Sequence, residues 1–563
     1  MTTPSSDSQA PLTGGMLWLA AIVLAAANFV AVLDMTIANV SVPNISGNLG
    51  VSTSQGTWVI TSYAVAEAIL VPLTGWLASR FGTVRVFAVA MGCFGLFSAL
   101  CGLALSLGML VAARICQGLA GGPLMPLSQT LLLRIFPKEK AGAAIGLWSM
   151  TTIVAPVLGP ILGGYLCDEY SWPWIFYINL PIAVGCAWAA WKMLARYESP
   201  IARNPIDKVG LALLVLWVGS LQIMLDEGKQ LDWFASSTIA GLAVVAAIGF
   251  AAFLIWELHA EQPAVNLRVF RHRGFSASVL TISLAFGAFF GANVLTPQWL
   301  QSFMGYTALE AGKTTAWSGF FALFAAPIAA GLGGKVDARK LVFGGVIWLG
   351  IITLWRTVAT TDMTYWQVAV PLMAMGLGIP FFFVPTTGLA MASVDEEEMA
   401  SAAGLMNFLR TLSGAFATSL ITTLWDDRAT LHHAELVGVS DGDGSVRTML
   451  EGAGSTLDAI NQSIDQLLTS QSVMLATNDI MAWVGVAFVL AASAIWLAPK
   501  PRRTVAPGTG GIDMVWGQSL RFAFRPGLPR AGQAHARRTF NPDFDWQSRA
   551  MPDVLMATEP KAL

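Results

Sequence analysis

Charge is what this sequence has least of. Only 12% of its 563 residues are Asp, Glu, Lys or Arg, against 55% hydrophobic, whereas a soluble domain carries about 25% charged residues. A water-soluble globule is excluded. Histidine is scarce too: His259, His272, His432, His433 and His535 all fall outside the apolar segments assigned below, so an intramembrane metal centre would lack its usual nitrogen ligands. The five cysteines (Cys93, Cys101, Cys116, Cys167, Cys186) show no metal-type spacing and read as small buried residues. No Gly-x-x-x-x-Gly-Lys-Ser/Thr loop occurs, which removes ATP as a direct fuel. No Lys or Arg precedes Met16, so the basic start of a cleaved signal peptide is missing and the first apolar run is expected to stay in the mature protein. A net charge of −2 says nothing of nucleic acid.

What is present is apolar length. Runs long enough to cross a hydrocarbon core of about 30 Å fall near 16–40, 57–78, 84–105, 109–131, 141–167, 174–195, 207–225, 236–257, 274–300, 311–333, 340–358, 365–390, 400–424 and 477–498. The predicted fold class is an all-α polytopic membrane protein of fourteen transmembrane helices. Its expected parts are a cytoplasmic N-terminus (1–15), a helical bundle (16–195), two further spans (207–257), a second bundle (274–498) and a basic, disordered tail (499–563).

Loops alternate in basic content. One set carries Arg80 and Arg85; Arg134, Lys138 and Lys140; Lys192, Arg196, Arg203 and Lys208; Arg268, Arg271 and Arg273; Lys335, Arg339 and Lys340. The intervening short loops hold only Lys229. The positive-inside rule places the basic set, and with it both termini, in the cytoplasm. "DEEE" (Asp395 to Glu398) disobeys: it belongs to the cytoplasmic set yet is acidic. The long loop 426–476 lies on the outer side, where Leu457, Ile460, Ile464, Leu467 and Leu468 recur at helical spacing. It reads either as a helical cap or as a docking surface.

Four charges interrupt the apolar runs: Asp34, Glu67, Arg114 and Arg410. A charge at the bilayer centre costs about 2.5–3.5 kcal/mol on insertion scales, and such residues usually face a bundle interior or watery path. Asp34 and Arg114 lie at nearly matching depth, Asp34 about 9 Å from its span's outer end at 1.5 Å per residue, so a pair is sterically allowed. It is either a static bridge locking two helices or a carboxylate that binds and releases a proton. Glu67, in "TSYAVAEAILVPL", sits at the midplane with no basic residue within one turn, either as a permanent acid or as a second proton carrier. Arg410 has no acid at matching depth in its own half.

Shorter motifs add detail. "GWLASRFGTVR" offers Gly75 and Gly82 for a tight turn, with Arg80 and Arg85 to hold it beneath the helix ends. "RICQG" puts Gln117 on the same face as Arg114. "GLWSMTTIVAPVLGPILGG", from Gly146 onward, spaces Ala155, Gly159 and Gly163 four apart, a ridge that admits another backbone, with Pro156 and Pro160 expected to bend the helix. Asn28, Gln117, Trp148, Asn293 and Arg410 are nominated for substrate contact as polar or aromatic groups at depth.

These stretches together resemble the major facilitator superfamily, in its fourteen-span branch of drug:proton antiporters. "LDMTIANVSVP", "RICQG", the Gly146–Gly164 run and "WPWIFYINLP" are similar to that branch's signatures in the first, fourth, fifth and sixth spans. "SQGTWVITSYAVA", "PLTGWLA", "PLSQTLLL" and "NFLRTLSG" look like the inner-membrane pumps of tripartite multidrug exporters. The resemblance implies two six-helix bundles plus two inserted spans, alternating access around a midplane cavity, and proton linkage through Asp34 and Arg114. It also implies a periplasmic adaptor and an outer-membrane channel as partners, with a proton gradient in place of any cofactor. The family's loop motif often has an acid where Ser79 stands, which puts that loop's charge relay in doubt. The residues also bear on two other classes. A membrane-embedded transferase would have only "LHHAE" (Leu431 to Glu435) to work with, and a passive channel fits poorly with buried charges and prolines.

Overall fold

Terminators in the sequence set most of the helix ends. The first helix, α1 (Gly14–Leu49), stops where Gly50 turns left-handed at φ 67°. There the amides of Gly50 and Val51 donate back to Gly47 and Ser46, the hydrogen-bond pattern of a Schellman cap. The computed structural model describes residues 12, 14–137, 140–201, 205–333, 335–443 and 457–500. The predicted tail lies outside these residues apart from its first two positions.

Helices follow in chain order. α2 is a broken pair, Trp58–Leu70 and Thr74–Phe81, bent by 58°. Then come α3 (Thr83–Gly102), α4 (Leu107–Gly121 continued by Leu124–Ile135), α5 (Ala141–Glu169) and α6 (Trp174–Tyr177 continued by Asn179–Leu194). The middle pair is α7 (Lys208–Glu227) and α8 (Ser237–His259). The rest are α9 (Arg273–Phe303), α10 (Ala308–Gly333), α11 (Ala338–Trp355), α12 (Tyr365–Ala392), α13 (Met399–Asp443) and α14 (Leu457–Ala494). Every predicted span falls on one of these, and no strand occurs among the described residues.

Among the described residues, twelve helices are long and apolar enough to cross a membrane, thirteen when the bent α2 pair is one span. The fourteenth predicted segment is α13, which carries Arg410 and runs on into polar sequence. Side chains such as Ile22, Leu96, Trp188, Val244, Ile248, Phe324 and Leu490 stand exposed around the bundle, a belt suited to lipid and not to water.

Capping follows residue chemistry. Ser106 accepts from the Met109 amide at α4. Asp207 accepts from Gly210 at the start of α7 and from Trp256 Nε1, which ties α7 to α8. Thr364 and Gln367 form a capping box at α12. The turn between α2 and α3 is held by a residue the sequence did not single out. Gly82, at φ 94°, presents the α3 N-terminus to Glu198, whose carboxylate accepts from the Val84 and Arg85 amides at 2.9 and 3.1 Å. A carboxylate at a helix N-terminus is favoured by its free N–H groups and dipole. Arg85 Nε adds a 3.8 Å ion pair to Glu198, and Arg80 stacks over Trp76 and Phe81. The acid absent at Ser79 thus has a counterpart in Glu198.

The small-residue ridge does what its spacing predicts. Gly159 lies against Thr36 and Ile37 of α1, Gly163 against Ile37 and Val40, and Gly146 faces Ala330 of α10. α5 continues as one helix through Pro156 and Pro160.

Two helices outgrow the predicted limits. At 45 residues, α13 is about 68 Å long at 1.5 Å per residue, more than twice a hydrocarbon core. The stretch expected as a cap over 457–468 is instead the opening of α14, which pairs with the far part of α13. His432 joins them: its ring nitrogens lie 2.9 Å from Asp479 Oδ2 and 3.0 Å from Glu435 Oε2. Arg428 and His433 add contacts to Asp479 and Asp465 at 3.9 and 3.6 Å. Lys229, from the α7–α8 connection, reaches Asp426 at 3.7 Å.

Two predictions follow from this packing. Gly159→Leu should push α5 off α1 and lower thermal stability by about 1–3 kcal/mol, read as a drop in the melting midpoint in detergent. For His432, partial burial opposes the cation, but hydrogen bonds and charge from Asp479 and Glu435 outweigh it and raise the pKa above the ordinary imidazole value. A raised folded pKa means the contribution is complete below the unfolded value of about 6.5 and fades as pH climbs through the folded one. Amide exchange in the paired extensions of α13 and α14 should therefore speed up on that rise, once corrected for intrinsic rates. His432→Gln should remove the dependence.

Candidate functional site

Asp34 stands on α1 where Ala, Val and Leu surround it, and its side chain is fully buried. Arg114, on α4, is equally buried and meets it with Nη1 2.5 Å from Oδ2. The depth matching seen in the sequence therefore corresponds to a contact. Gln117, one turn along α4, donates from Nε2 to Asp34 Oδ1 at 3.0 Å, and its own Oε1 accepts from Arg114 Nη1 at 2.9 Å. Asn179, at the start of the main helix of α6, donates to Asp34 Oδ1 at 2.7 Å. Both carboxylate oxygens are thus occupied by donors from two other helices.

The arginine is held from all sides. Its Nε donates to the Val59 carbonyl at 3.1 Å, and its guanidinium carbon sits 4.1 Å from the Tyr63 ring centre and 5.5 Å from that of Phe176. Behind Asn179, Ser98 Oγ accepts from the amide at 3.1 Å and donates to the Phe176 carbonyl. Cys101 donates to Gln117 Oε1 at 3.3 Å. A buried ion pair is tolerable only when its remaining lone pairs and protons are met, and here most are. Arg114 Nη2, Asn179 Oδ1 and the Tyr63 hydroxyl have no hydrogen-bond partner.

Glu67 lies on the same face of α2 one turn beyond Tyr63. It is buried, its Oε2 is unpartnered, and Asp34, Arg114 and Arg410 are all within electrostatic range. Two cations near it are more than the sequence indicated, because both come from other helices.

Among the described residues, Arg410 makes no ion pair with an acid of its own half, as its depth indicated, and is surrounded instead by rings and a thioether. It is buried on α13, and its guanidinium carbon is 5.6, 5.1 and 5.4 Å from the ring centres of Trp148, Phe286 and Phe383. Nη2 contacts Met125 Sδ at 2.7 Å, while Nε and Nη1 have no partner. Trp148 stacks on Phe383 and donates to Ser128 Oγ at 3.1 Å. Asn28 donates to Thr151 and Thr152 of α5 at 2.8 and 2.9 Å, so it braces α1 on α5 close to Trp148. Asn293 is half-buried on α9 and joins neither cluster.

The bundles meet closely at the end that carries the basic loops. Gly75 abuts the backbone of Ser401, Gly404 abuts the Val71 carbonyl, and Asn407 donates to Gln129 Oε1 at 3.0 Å. The acidic "DEEE" loop belongs to this end. Glu398 pairs with Arg271 at 2.9 Å and with His272 at 3.0 Å, and Arg134 feels the charge of Glu396. Its acidity is therefore balanced by basic residues of neighbouring loops. Two apolar crevices, of about 720 and 540 Å³, open where α7 meets α9, α13 and α14 or α8 and α13. None of the four buried charges lines either one.

Asn179, Ser98, Tyr63, Met125, Gln129, Phe286, Phe383, Asn407 and Glu198 escaped the sequence reading as site residues. Asn179 and Tyr63 stand within quoted motifs, but nothing in a single sequence tells a polar residue aimed at Asp34 from one aimed elsewhere.

Residues 24–418 match the family model of the Major Facilitator Superfamily. The chain is 44% identical over 510 residues to the multidrug export protein EmrB of Escherichia coli (strain K12), covering 90% of this chain and 99% of that one. It is 41% identical over 499 residues to the fatty acid resistance protein FarB of Neisseria gonorrhoeae, covering 87% and 98%. Among solved structures, the proton:xylose symporter XylE superposes with a TM-score of 0.56 at 13% identity, over 86% of this chain and 96% of that one, a likeness of fold alone.

Asn179→Leu tests the cradle. It deletes a charge-assisted hydrogen bond worth about 1.5–3 kcal/mol and the one that Asn179 donates to Ser98. A comparable loss of thermal stability is expected, and Asn179→Asp should be worse because a second acid would face Asp34.

Proposed function

The chain belongs to the major facilitator superfamily, and on that premise we propose that this multi-span membrane transporter is a proton-driven exporter of lipophilic drugs or toxic compounds. The observation that carries the reading is the three-donor cradle around Asp34. Donors take three of the carboxylate's roughly four lone-pair directions, so a proton would remove the charge that holds Arg114 and weaken the hold on Gln117 and Asn179 as well. Those donors sit on α4 and α6, so a proton on α1 becomes a rearrangement between helices. Unpartnered polar atoms around the pair, each costing about 1–3 kcal/mol when buried, support a site that exchanges partners. The printed names of EmrB and FarB, a multidrug exporter and a fatty acid resistance protein, support the cargo class.

In this cycle Asp34 and Glu67 take protons, Arg114 holds Asp34, and alternating access carries cargo past the midplane. Asn28, Gln117, Trp148, Asn293 and Arg410 remain the nominees for cargo contact. A proton crossing 100 mV gains about 2.3 kcal/mol and each pH unit adds about 1.4, enough together for a gradient on the order of a hundredfold. No covalent bond of the cargo is made or broken, and the proton gradient stands in place of a cofactor. The basic loops favour a bacterial inner membrane with both termini cytoplasmic. On that orientation the long α13–α14 extension points into the periplasm, where an adaptor protein leading to an outer-membrane channel would dock.

Asp34→Asn is expected to abolish proton release from the purified protein on adding lipophilic compounds, with the variant still inserted in the membrane. Undiminished release would take Asp34 out of the mechanism.

A further inference from the structure

Arg410 has no settled role in that cycle, and its surroundings are unusual. A guanidinium 2% exposed, with two nitrogens unpartnered, is costly to bury. The three ring faces and Met125 offset only part of that cost. Packing links this cation to Glu67, whose carbonyl lies against Gly122 of α4, about one turn before the Met125 that touches Arg410, and whose charge acts on it, yet the two make no direct ion pair. They also sit on opposite sides of the contact between the bundles. Glu67 is on α2, while Arg410 is on α13, about one turn from Asn407, less than two turns from Gly404 and about two and a half from Ser401. These are the residues that close the basic end against Gln129, Gly75 and Val71.

We propose that Arg410 is the positioning residue through which protonation of Glu67 opens and shuts the basic end. The inference rests on the proton-driven reading above. While Glu67 is ionised, its attraction for Arg410 draws α13 onto α2 and α4 and holds that end closed. A proton on Glu67 cancels the attraction. The buried cation is then left with rings and a thioether, and arrangements in which α13 swings away to hydrate it become favourable. The other charged or titratable groups facing Glu67 are Asp34 from α1, Arg114 from α4 and Tyr63 from α2 itself. Asp226 of α7 engages α2 at Thr61, almost two turns away. Arg114 is committed to Asp34, so Arg410 is the cation free to respond. Since Asp34 also acts on Glu67, a change at the Asp34 pair is passed on to the second bundle. The direction suits an exchanger: a proton taken at the far mouth unlocks the basic end, and its loss there locks it again.

Amide hydrogen exchange of the full chain in lipid nanodiscs, corrected for intrinsic rates and followed across pH, tests this at segments 74–81 and 399–407. In the wild type, protection should fall as pH drops. Arg410→Gln should be poorly protected and flat with pH, Arg410→Lys should keep the wild-type profile, and Glu67→Gln should match Arg410→Gln. The double variant should be no worse than either single one. An Arg410→Gln profile that still tracks pH overturns the proposal, as does one that loses only drug binding. If Arg410→Gln does not fold, Glu67→Gln decides: a wild-type profile there overturns it too. Proton release by the wild type on drug addition separates the two levels. Release with an unaltered Arg410→Gln profile removes this inference alone, and no release removes the reading beneath it.

Discussion

A carboxylate and a guanidinium buried together with no exposed surface are the constraint around which this protein is arranged. Either one alone would be costly in a lipid-embedded helix, and a pair is stable there only if its other hydrogen-bonding directions are met. α1 supplies Asp34, α4 supplies Arg114 and Gln117, α6 supplies Asn179, and the broken first part of α2 supplies the Val59 carbonyl and the Tyr63 ring. Four helices therefore have to converge within hydrogen-bonding distance. The glycines of α5 help by letting α1 pack closely alongside it.

The second bundle answers with a single cation. Arg410 is boxed by Phe286 and Phe383 from its own bundle and by Trp148 and Met125 from the other. Any separation at the basic end would leave the first two rings with Arg410 and carry the other partners away. Glu67 is within electrostatic range of both charge centres. Of the charges inside the apolar spans, Asp34 and Arg114 are satisfied within the first bundle, while Arg410 lies against the contact between the two.

Much of this was legible before any coordinates. Apolar length located the helices because a membrane leaves the backbone no alternative to internal hydrogen bonds. The spacing of Gly159 and Gly163 foretold a close backbone approach, and the depths of Asp34 and Arg114 foretold their meeting. What the sequence left dark has a common cause. Asn179, Phe383 and Met125 matter only because tertiary packing turns them toward a charge, and a one-dimensional pattern records depth but not facing. Glu198 fills the place left empty at Ser79 from more than a hundred residues away, which local motif reading could not reveal. The extensions of α13 and α14 were under-read for a different reason: outside the membrane, polar helices lose the hydropathy signal that marked the rest.

In the proposed cycle, hydrogen ions are exchanged at these buried acids as the bundles rock. Transport of a lipophilic cargo by purified protein in sealed vesicles, with and without collapse of both the pH difference and the voltage, examines that most directly. Accumulation against a gradient is expected only while one of the two driving forces persists. Equal accumulation after both are dissipated would contradict it.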